Sequence, residues 1–309
     1  MNMAESKHIT SASLRGTIRH QVDMSRYVSW RAGGVAEQMY QPADIEDLQM
    51  FMRNLSPGEP LHVLGLGSNL LVRDGGFCGT VLLLHGVLNE LRIKNDGEVY
   101  AEAGVPGAKL ARFAALHDRV GASFFAGIPG TVGGMLAMNA GCYGSQTWEK
   151  VSKVMTVNRR GETAVRTSAD YEIGYRHVAL HDSGEEWFVA AWLNFERGNG
   201  DVARQEIKTL LNKRISSQPL SLPNAGSVFR NPSGDHAARL IEQCGLKGKR
   251  IGAAQVSEKH ANFIVNLGKA SATNIEQLIN LIQTTVEQQT GVRLISEVRI
   301  IGEQKKVVE

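Results

Sequence analysis

At 309 residues the chain exceeds the size at which one hydrophobic core usually stays single, so two or three domains are expected. Its 34 basic and 31 acidic residues leave a net charge of +3, too little for a nucleic-acid binder without a concentrated basic face, and no such concentration occurs. Cys78, Cys142 and Cys244 are odd in number and never in a CxxC pair, so neither a disulfide framework nor a zinc site is indicated. The longest wholly aliphatic run, Val81-Leu82-Leu83-Leu84, is far short of a membrane span, and the first twenty residues show no signal-peptide pattern, so a cytosolic protein is expected.

The predicted elements begin with a helix from about Asp44 to Leu55, where Ile45, Leu48, Phe51, Met52 and Leu55 form one apolar face. His62–Leu64 and Thr80–Leu84 read as short buried strands, and Val99–Ala103 as another before a helix around Lys109–His117. Val154–Val157 and Phe188–Phe195 are rich in β-branched and aromatic residues, which predicts antiparallel sheet. Between them His177 and His181 stand four apart, a spacing that on a helix would share one face, but the HExxH glutamate is missing and no metal site is called. A polar helix from about Asp201 to Ile215 leads into a Pro/Ser-rich stretch that marks a domain boundary near residue 215. A short helix ending at Gly245, a strand Phe263–Val265 and a helix Thr273–Gln289 follow. For that last helix the expected devices are a Thr273/Glu276 capping box and a stop at Gly291. Arg293–Ile301 closes the chain as a strand with Val298 and Ile300 on one side and Glu297 and Arg299 on the other.

The 33 glycines cluster in loops between apolar runs. Gly65-Leu-Gly67-Ser68-Asn69-Leu70 follows a strand, where bare amides can approach a phosphate. It is neither GxGxxG nor a Walker loop, and taken alone it is more commonly a plain tight turn. A second loop holds Gly127, Ile128, Pro129, Gly130, Gly133 and Gly134 and runs on to Asn139 and Gly141. Paired glycine loops suit a large anionic ligand such as a dinucleotide, because they supply amides from two directions; close packing between sheets is the alternative.

Seven ordered motifs carry a resemblance: Trp30-Arg-Ala-Gly-Gly34, Gly65–Asn69, Ala126–Gly130, Asn139-Ala-Gly141, Gly174-Tyr-Arg176, Asn224–Pro232 and Ser296–Gly302. Together they resemble the UDP-N-acetylenolpyruvoylglucosamine reductase family, over nearly the whole chain. The resemblance implies an α+β fold, with two FAD-binding subdomains of the vanillyl-alcohol-oxidase type and a C-terminal α+β substrate domain. The corresponding spans are 1–86, 87–214 completed by a C-terminal strand 295–309, and 215–294.

The resemblance also implies an activity. An enolpyruvyl ether on a UDP-sugar is reduced to a lactyl ether in peptidoglycan precursor synthesis, with non-covalent FAD and NADPH as hydride donor. Hydride adds to the terminal carbon, charge develops on its neighbour and spreads into the carboxylate, and the product needs one proton. Ser227 resembles the proton donor; read from its neighbours alone it is a turn residue. Arg176 and Glu297 resemble the pair that stabilises the doubly charged intermediate, the glutamate helping only when protonated. Gly65, Gly67, Ser68, Asn69, Leu70, Gly127, Ile128, Pro129, Gly130, Gly133, Gly134, Asn139 and Gly141 fall at cofactor-binding positions. Tyr175, Arg230, Asn231, Gln255, Lys259 and His260 fall at substrate positions. Only ten residues separate Arg176 from Trp187, too few for the tyrosine-bearing loop of some members, so the shorter subclass is implied. The partner is a small-molecule UDP-sugar, without nucleic acid or membrane, and a monomer is expected.

Overall fold

The computed structural model describes residues 14–305; most of the polar N-terminal stretch and the last four residues of the 295–309 segment lie outside them. Strands β1 (Thr17–Asp23), β2 (Val35–Gln41), β3 (Leu61–Leu64) and β5 (Phe77–Leu83) form a sheet in the order β1-β2-β5-β3, antiparallel at its first pair and parallel elsewhere. Parallel neighbours require a crossover, and helix α1 (Ile45–Asn54) supplies it between β2 and β3. Asp44 caps α1 by accepting from the Asp47 amide at 2.9 Å. The helix buries Leu48, Phe51 and Met52 against Tyr40, Leu82 and Leu84, the face read from the sequence.

The second sheet is antiparallel throughout. Its order is β9 (Thr163–Arg166), β8 (Val151–Asn158), β12 (Glu186–Leu193), β7 (Val99–Glu102) and β6 (Leu91–Ile93). Helices α2 (Gly107–Leu116), α3 (Val132–Ala137) and α4 (Gly200–Ser217) share its core through Leu110, Ala111, Ala114, Leu136, Ala203 and Ile207. A hairpin of β10 (Tyr171–Gly174) and β11 (His177–Leu180) turns at Tyr175-Arg176. His177 therefore opens a strand, and the helical face it would share with His181 does not exist.

The remaining part packs α5 (Ala237–Gln243) and α6 (Ala272–Thr290) on a small sheet of β13 (Arg250–Ile251), β14 (Ala254–Val256) and β15 (Ile264–Asn266). Its core takes in Trp30, Ala32 and Leu71 from the first sheet's side, so the two parts share one apolar interior. Trp30 Nε1 donates to the Ile264 carbonyl at 2.7 Å, and Asn266 Nδ2 donates to the Trp30 carbonyl at 2.9 Å. Gly291 ends α6 in the left-handed conformation at φ 72°, as expected. The capping box lies two residues earlier than the sequence suggested, on Ser271 and Asn274. Thr273 and Glu276 turn outward to the first part of the chain: Asp74 accepts from the Thr273 amide at 2.8 Å, and Arg73 pairs with Glu276 at 2.8 Å.

The C-terminal strand, β16 (Arg299–Ile301), is shorter than predicted and lies elsewhere. It pairs in parallel with β4 (Leu70–Val72), inside residues 1–86, and not with the sheet of residues 87–214. The ladder continues from Asn69, whose carbonyl accepts from the Arg299 amide, to Arg73, whose amide donates to Ile301. Val298 completes the apolar interior around Leu71 and Trp30, and this burial draws the strand to that side. No helix among the described residues is long and apolar enough to cross a membrane.

Candidate active site

A cleft of about 360 Å³ opens where both glycine loops, the β10–β11 hairpin and the C-terminal part converge. Its size is that of a small-molecule site. Of the predicted cofactor residues, Gly65, Gly67, Ser68, Asn69, Leu70, Gly127, Ile128, Pro129, Gly130, Gly134 and Gly141 line it, together with Arg176, Ser227 and Glu297. A second lobe of about 450 Å³ adjoins it across Gly65, Thr131 and Gly134, and is walled by Tyr171, Trp187 and Phe188. Gly133 lines this lobe rather than the first.

The loop after β3 leaves several of its amides unpaired. Among the described residues the backbone N–H groups of Gly67, Ser68, Asn69 and Gly130 have no acceptor. Gly67 sits at φ 63°, and a Cβ there would run into the Tyr27 carbonyl oxygen, so close packing and open amides depend on the same residue.

Two predicted cofactor residues use their side chains for something else. Asn69 Nδ2 donates to the Glu297 carbonyl at 3.1 Å and ties the glycine loop to the C-terminal segment. Asn139 does not line the cleft. It is buried at φ 39°, donates to Gln146 Oε1 at 2.9 Å and the Gly174 carbonyl at 3.1 Å, and accepts from the Trp148 amide at 3.1 Å. Its amide group is fully engaged, which fixes the end of β10 just before Arg176.

Arg176 is the second residue of the hairpin turn and adopts a left-handed φ of 55°, uncommon for a bulky side chain. That turn aims its guanidinium inward, where Nε donates to Glu297 Oε1 at 2.8 Å and Nη2 donates to the Gly141 carbonyl at 3.0 Å. The pair is mostly buried, with side chains 18% and 14% exposed. Burial raises the Glu297 carboxyl above the usual carboxylate range, while Arg176 and Arg230 pull it the other way. Glu297 thus does not face solvent beside Arg299, as alternation along a strand would place it.

Ser227 follows Gly226, which turns at φ 74°. The next two residues are pinned: Val228 N–H donates to the Asn262 carbonyl, Phe229 N–H donates to Asn262 Oδ1 at 2.9 Å, and Asn262 Nδ2 donates to the Phe229 carbonyl at 2.8 Å. The Glu297 amide donates to the Val228 carbonyl at 2.8 Å, so Ser227 and Glu297 are set by one short backbone link.

The predicted substrate residues are more scattered. Tyr175 is exposed beside Arg176, whose guanidinium lies 5.2 Å from its ring centroid. Arg230 has a buried Nε without a partner among the described residues. Asn231 accepts from the Ala237 amide at 3.1 Å at the start of α5. Gln255 and Lys259 line a separate hollow of about 380 Å³ beside Pro219–Leu222, with Lys259 Nζ donating to the Ile215 carbonyl at 2.7 Å. His260 packs on Phe263 with ring centroids 4.7 Å apart, and its burial pulls the imidazole below its ordinary range. None of Arg230, Asn231, Gln255, Lys259 and His260 lines the main cleft.

Among the cleft residues that the sequence does not single out are His62, Arg214, Gln218 and Arg299. Arg214 Nε donates to Gln218 Oε1 at 3.0 Å, a spacing of four at the end of α4 that a polar helix shows without meaning. His62, lowered to about 4 by burial and by Arg299, is neutral near pH 7. Cys142 also lines the cleft; burial pushes its thiol up to about 11, so it is no thiolate near pH 7.

Comparison with known proteins gives this geometry a context. Residues 36–167 match the FAD binding domain, and residues 218–301 match the UDP-N-acetylenolpyruvoylglucosamine reductase C-terminal domain. The reductase of that name from Thiobacillus denitrificans is 56% identical, over 96% of this chain and 95% of its own length. The chain belongs to the UDP-N-acetylenolpyruvoylglucosamine reductase family. The Nitrosomonas eutropha reductase is also 56% identical, over 94% of this chain and 91% of its own. The crystal structure of the Thermus caldophilus reductase superposes with a TM-score of 0.78 at 29% identity, covering 93% of this chain and 99% of that one. As a reductase of this family the chain is an FAD-binding oxidoreductase of peptidoglycan precursor synthesis, and its fold is α+β, an FAD-binding fold followed by the family's C-terminal domain.

The residues present fit FAD. Open amides at Gly67, Ser68, Asn69 and Gly130 match the acceptor oxygens of a diphosphate. The second lobe offers aromatic walls and the buried Tyr171 hydroxyl, which has no partner among the described residues.

Proposed function

We propose that this reductase converts UDP-N-acetylglucosamine enolpyruvate to UDP-N-acetylmuramate, using NADPH and dissociable FAD, with Arg176, Ser227 and Glu297 as its catalytic residues. The observation that carries the reading is the convergence of these three side chains on the cleft lined by the glycine loops. FAD, when bound, carries hydride between the nicotinamide donor and the enolpyruvyl double bond.

The chain's own residues handle charge and the proton. A substrate carboxylate on Arg176 takes over hydrogen bonding that the guanidinium gives Glu297 in its absence. It also brings a negative charge beside a carboxyl that burial already raises. Both changes favour protonated Glu297, which then donates a hydrogen bond to the developing negative charge. Ser227 supplies the proton to carbon; an alkoxide leaving group is tolerable because the carbanion it neutralises, next to a carboxylate, is more basic than the alkoxide. Dissociable FAD is supported by the state of Cys142, whose thiol is neutral and donates to the Phe124 carbonyl at 3.2 Å.

The visible spectrum tests the reading. Purified yellow protein bleached by NADPH without oxygen, then recoloured by the enolpyruvyl UDP-sugar, is the expected result. Recolouring by air alone would make the chain an oxidase, and a colourless protein that takes up no FAD would make it a nucleotide-binding module without turnover.

A further inference from the structure

Arg230 is a cation with no anion bonded to it. Its Nε is buried and has no partner among the described residues, its guanidinium forms no ion pair there, and it does not line the cleft. A buried cation is costly unless an anion lies within reach.

The backbone brings one close. Phe229 and Ser296 face each other in an isolated antiparallel bridge, closed by the Arg230 amide on the Ile295 carbonyl at 2.9 Å and the Glu297 amide on the Val228 carbonyl at 2.8 Å. This register sets Val228 opposite Glu297 and Arg230 opposite Ile295. Side chains alternate between the two faces of such a ladder, so Arg230 and Glu297 share a face as diagonal neighbours, about 7–8 Å apart and within reach of a long side chain. Asn262 bonds both the N–H and the carbonyl of Phe229, which holds Arg230 in this register.

Arg176 meets the same carboxyl from the β10–β11 hairpin at 2.8 Å. The other titratable groups on the surrounding elements are His62 on β3, Cys142 beside Gly141, Arg214 on α4 and Arg299 on β16. Arg176 and Arg230 are the two cations whose charge draws Glu297 towards its ionised form, against its burial. Two guanidinium groups around one carboxylate leave a single positive charge over, which a substrate carboxylate balances. Once Glu297 takes up a proton, the same two guanidinium groups face the two negative charges of the intermediate.

We propose that Arg230 is a positioning residue that acts through Glu297: it keeps the carboxyl ionised and paired with Arg176 before substrate binds, and leaves two positive charges in place once Glu297 is protonated. The coupling of Arg230 to Glu297 stands on the ladder geometry, and its use in the reaction rests on the proposed function.

The test is a carbon-13 titration of glutamate side-chain carboxyls in the FAD-loaded protein, with the Glu297 signal assigned by its loss in Glu297→Gln. In Arg230→Gln the midpoint of that signal should rise by about one pH unit, the lower end of the effect of a nearby opposite charge, and Arg230→Lys should return most of the rise. Arg230→Met, which keeps an unbranched stem without the charge, repeats the measurement should the glutamine variant fail to fold. A midpoint that stays or falls on loss of the charge would overturn the proposal. Recolouring of the reduced flavin by the enolpyruvyl UDP-sugar then reads the consequence for the reaction. An alkaline limit displaced upward with the midpoint supports action through Glu297. A raised KM with midpoint and alkaline limit both as in wild type would make Arg230 a substrate contact and overturn the proposal. A midpoint that rises while the alkaline limit stays in place would establish the coupling and defeat the protonated Glu297 of the proposed function.

Discussion

Replacing Arg176 by alanine isolates the energetics of the buried pair. The substitution removes the 2.8 Å bond to Glu297 and the 3.0 Å bond to Gly141, and leaves a carboxyl 14% exposed with only Arg230 as a nearby cation influencing it. Breaking a buried pair from one side costs about 3–5 kcal/mol, and the residual exposure here places the loss near about 3 kcal/mol. For a chain this long that corresponds to a fall in Tm of roughly 6 °C or slightly less.

The pH dependence separates this mechanism from simple loss of packing. Burial holds the folded-state pKa of Glu297 above its unfolded value, and Arg176→Ala removes both influences of Arg176 that lower it. A carboxyl with a raised folded pKa contributes its full stability below the unfolded value and loses it as pH rises through the folded value. The deficit of the variant should therefore be small near pH 4.5 and grow towards pH 8. Thermal unfolding of wild type, Arg176→Ala, Glu297→Gln and the double variant across that range measures it. In the Glu297→Gln background the arginine substitution should cost only about 1 kcal/mol, since no buried charge is stranded. A deficit that is flat in pH and additive in the double variant would refute the argument.

Ser227→Ala should leave anaerobic bleaching by NADPH nearly intact and slow recolouring by the enolpyruvyl UDP-sugar by several orders of magnitude; equal loss in stopped-flow traces of both half-reactions would count against a proton donor. Gly67→Val should lower flavin content and Tm together, because the new Cβ meets the Tyr27 carbonyl as well as the open loop; full yellow colour would place the FAD cradle elsewhere. Because NADPH and the UDP-sugar are read as sharing one cleft, double-reciprocal plots should be parallel and excess UDP-sugar should compete with NADPH. An intersecting pattern with a ternary complex would require a separate nicotinamide site.

The elements legible in the sequence were those with strong local signals. The α1 face and the Gly291 stop of α6 are legible in the sequence, because apolar spacing and a left-handed glycine act within one element. The Thr273/Glu276 capping box does not form for a tertiary reason: Asp74 and Arg73, about two hundred positions away, take those side chains. The final strand failed likewise, since alternation fixes which residues share a face but not which sheet receives them. In the site, glycine loops were legible as loops. That Arg214 and His62 join them was not, because a lone arginine in a polar helix and a histidine on a strand have no pattern of their own.

Three asparagines show how such a cleft keeps its donors free. A phosphate cradle needs backbone N–H groups that the protein itself leaves unpaired, yet loops with unpaired amides have little to hold their shape. Here side-chain amides supply the missing constraint. Asn69 grips the Glu297 carbonyl, Asn139 grips Gly174 and Trp148, and Asn262 grips both ends of the Phe229 peptide. Each amide group offers a donor and an acceptor at fixed separation, so it can stand in for a strand neighbour without adding charge to a site that must receive an anion. The glycine loop, Arg176, Ser227 and Glu297 are thereby fixed by side-chain amides rather than by the loop amides themselves. Asn139, which the motif places at a cofactor position, therefore braces the cleft from behind, while Asn69 both lines the cleft and braces the C-terminal segment through its side chain.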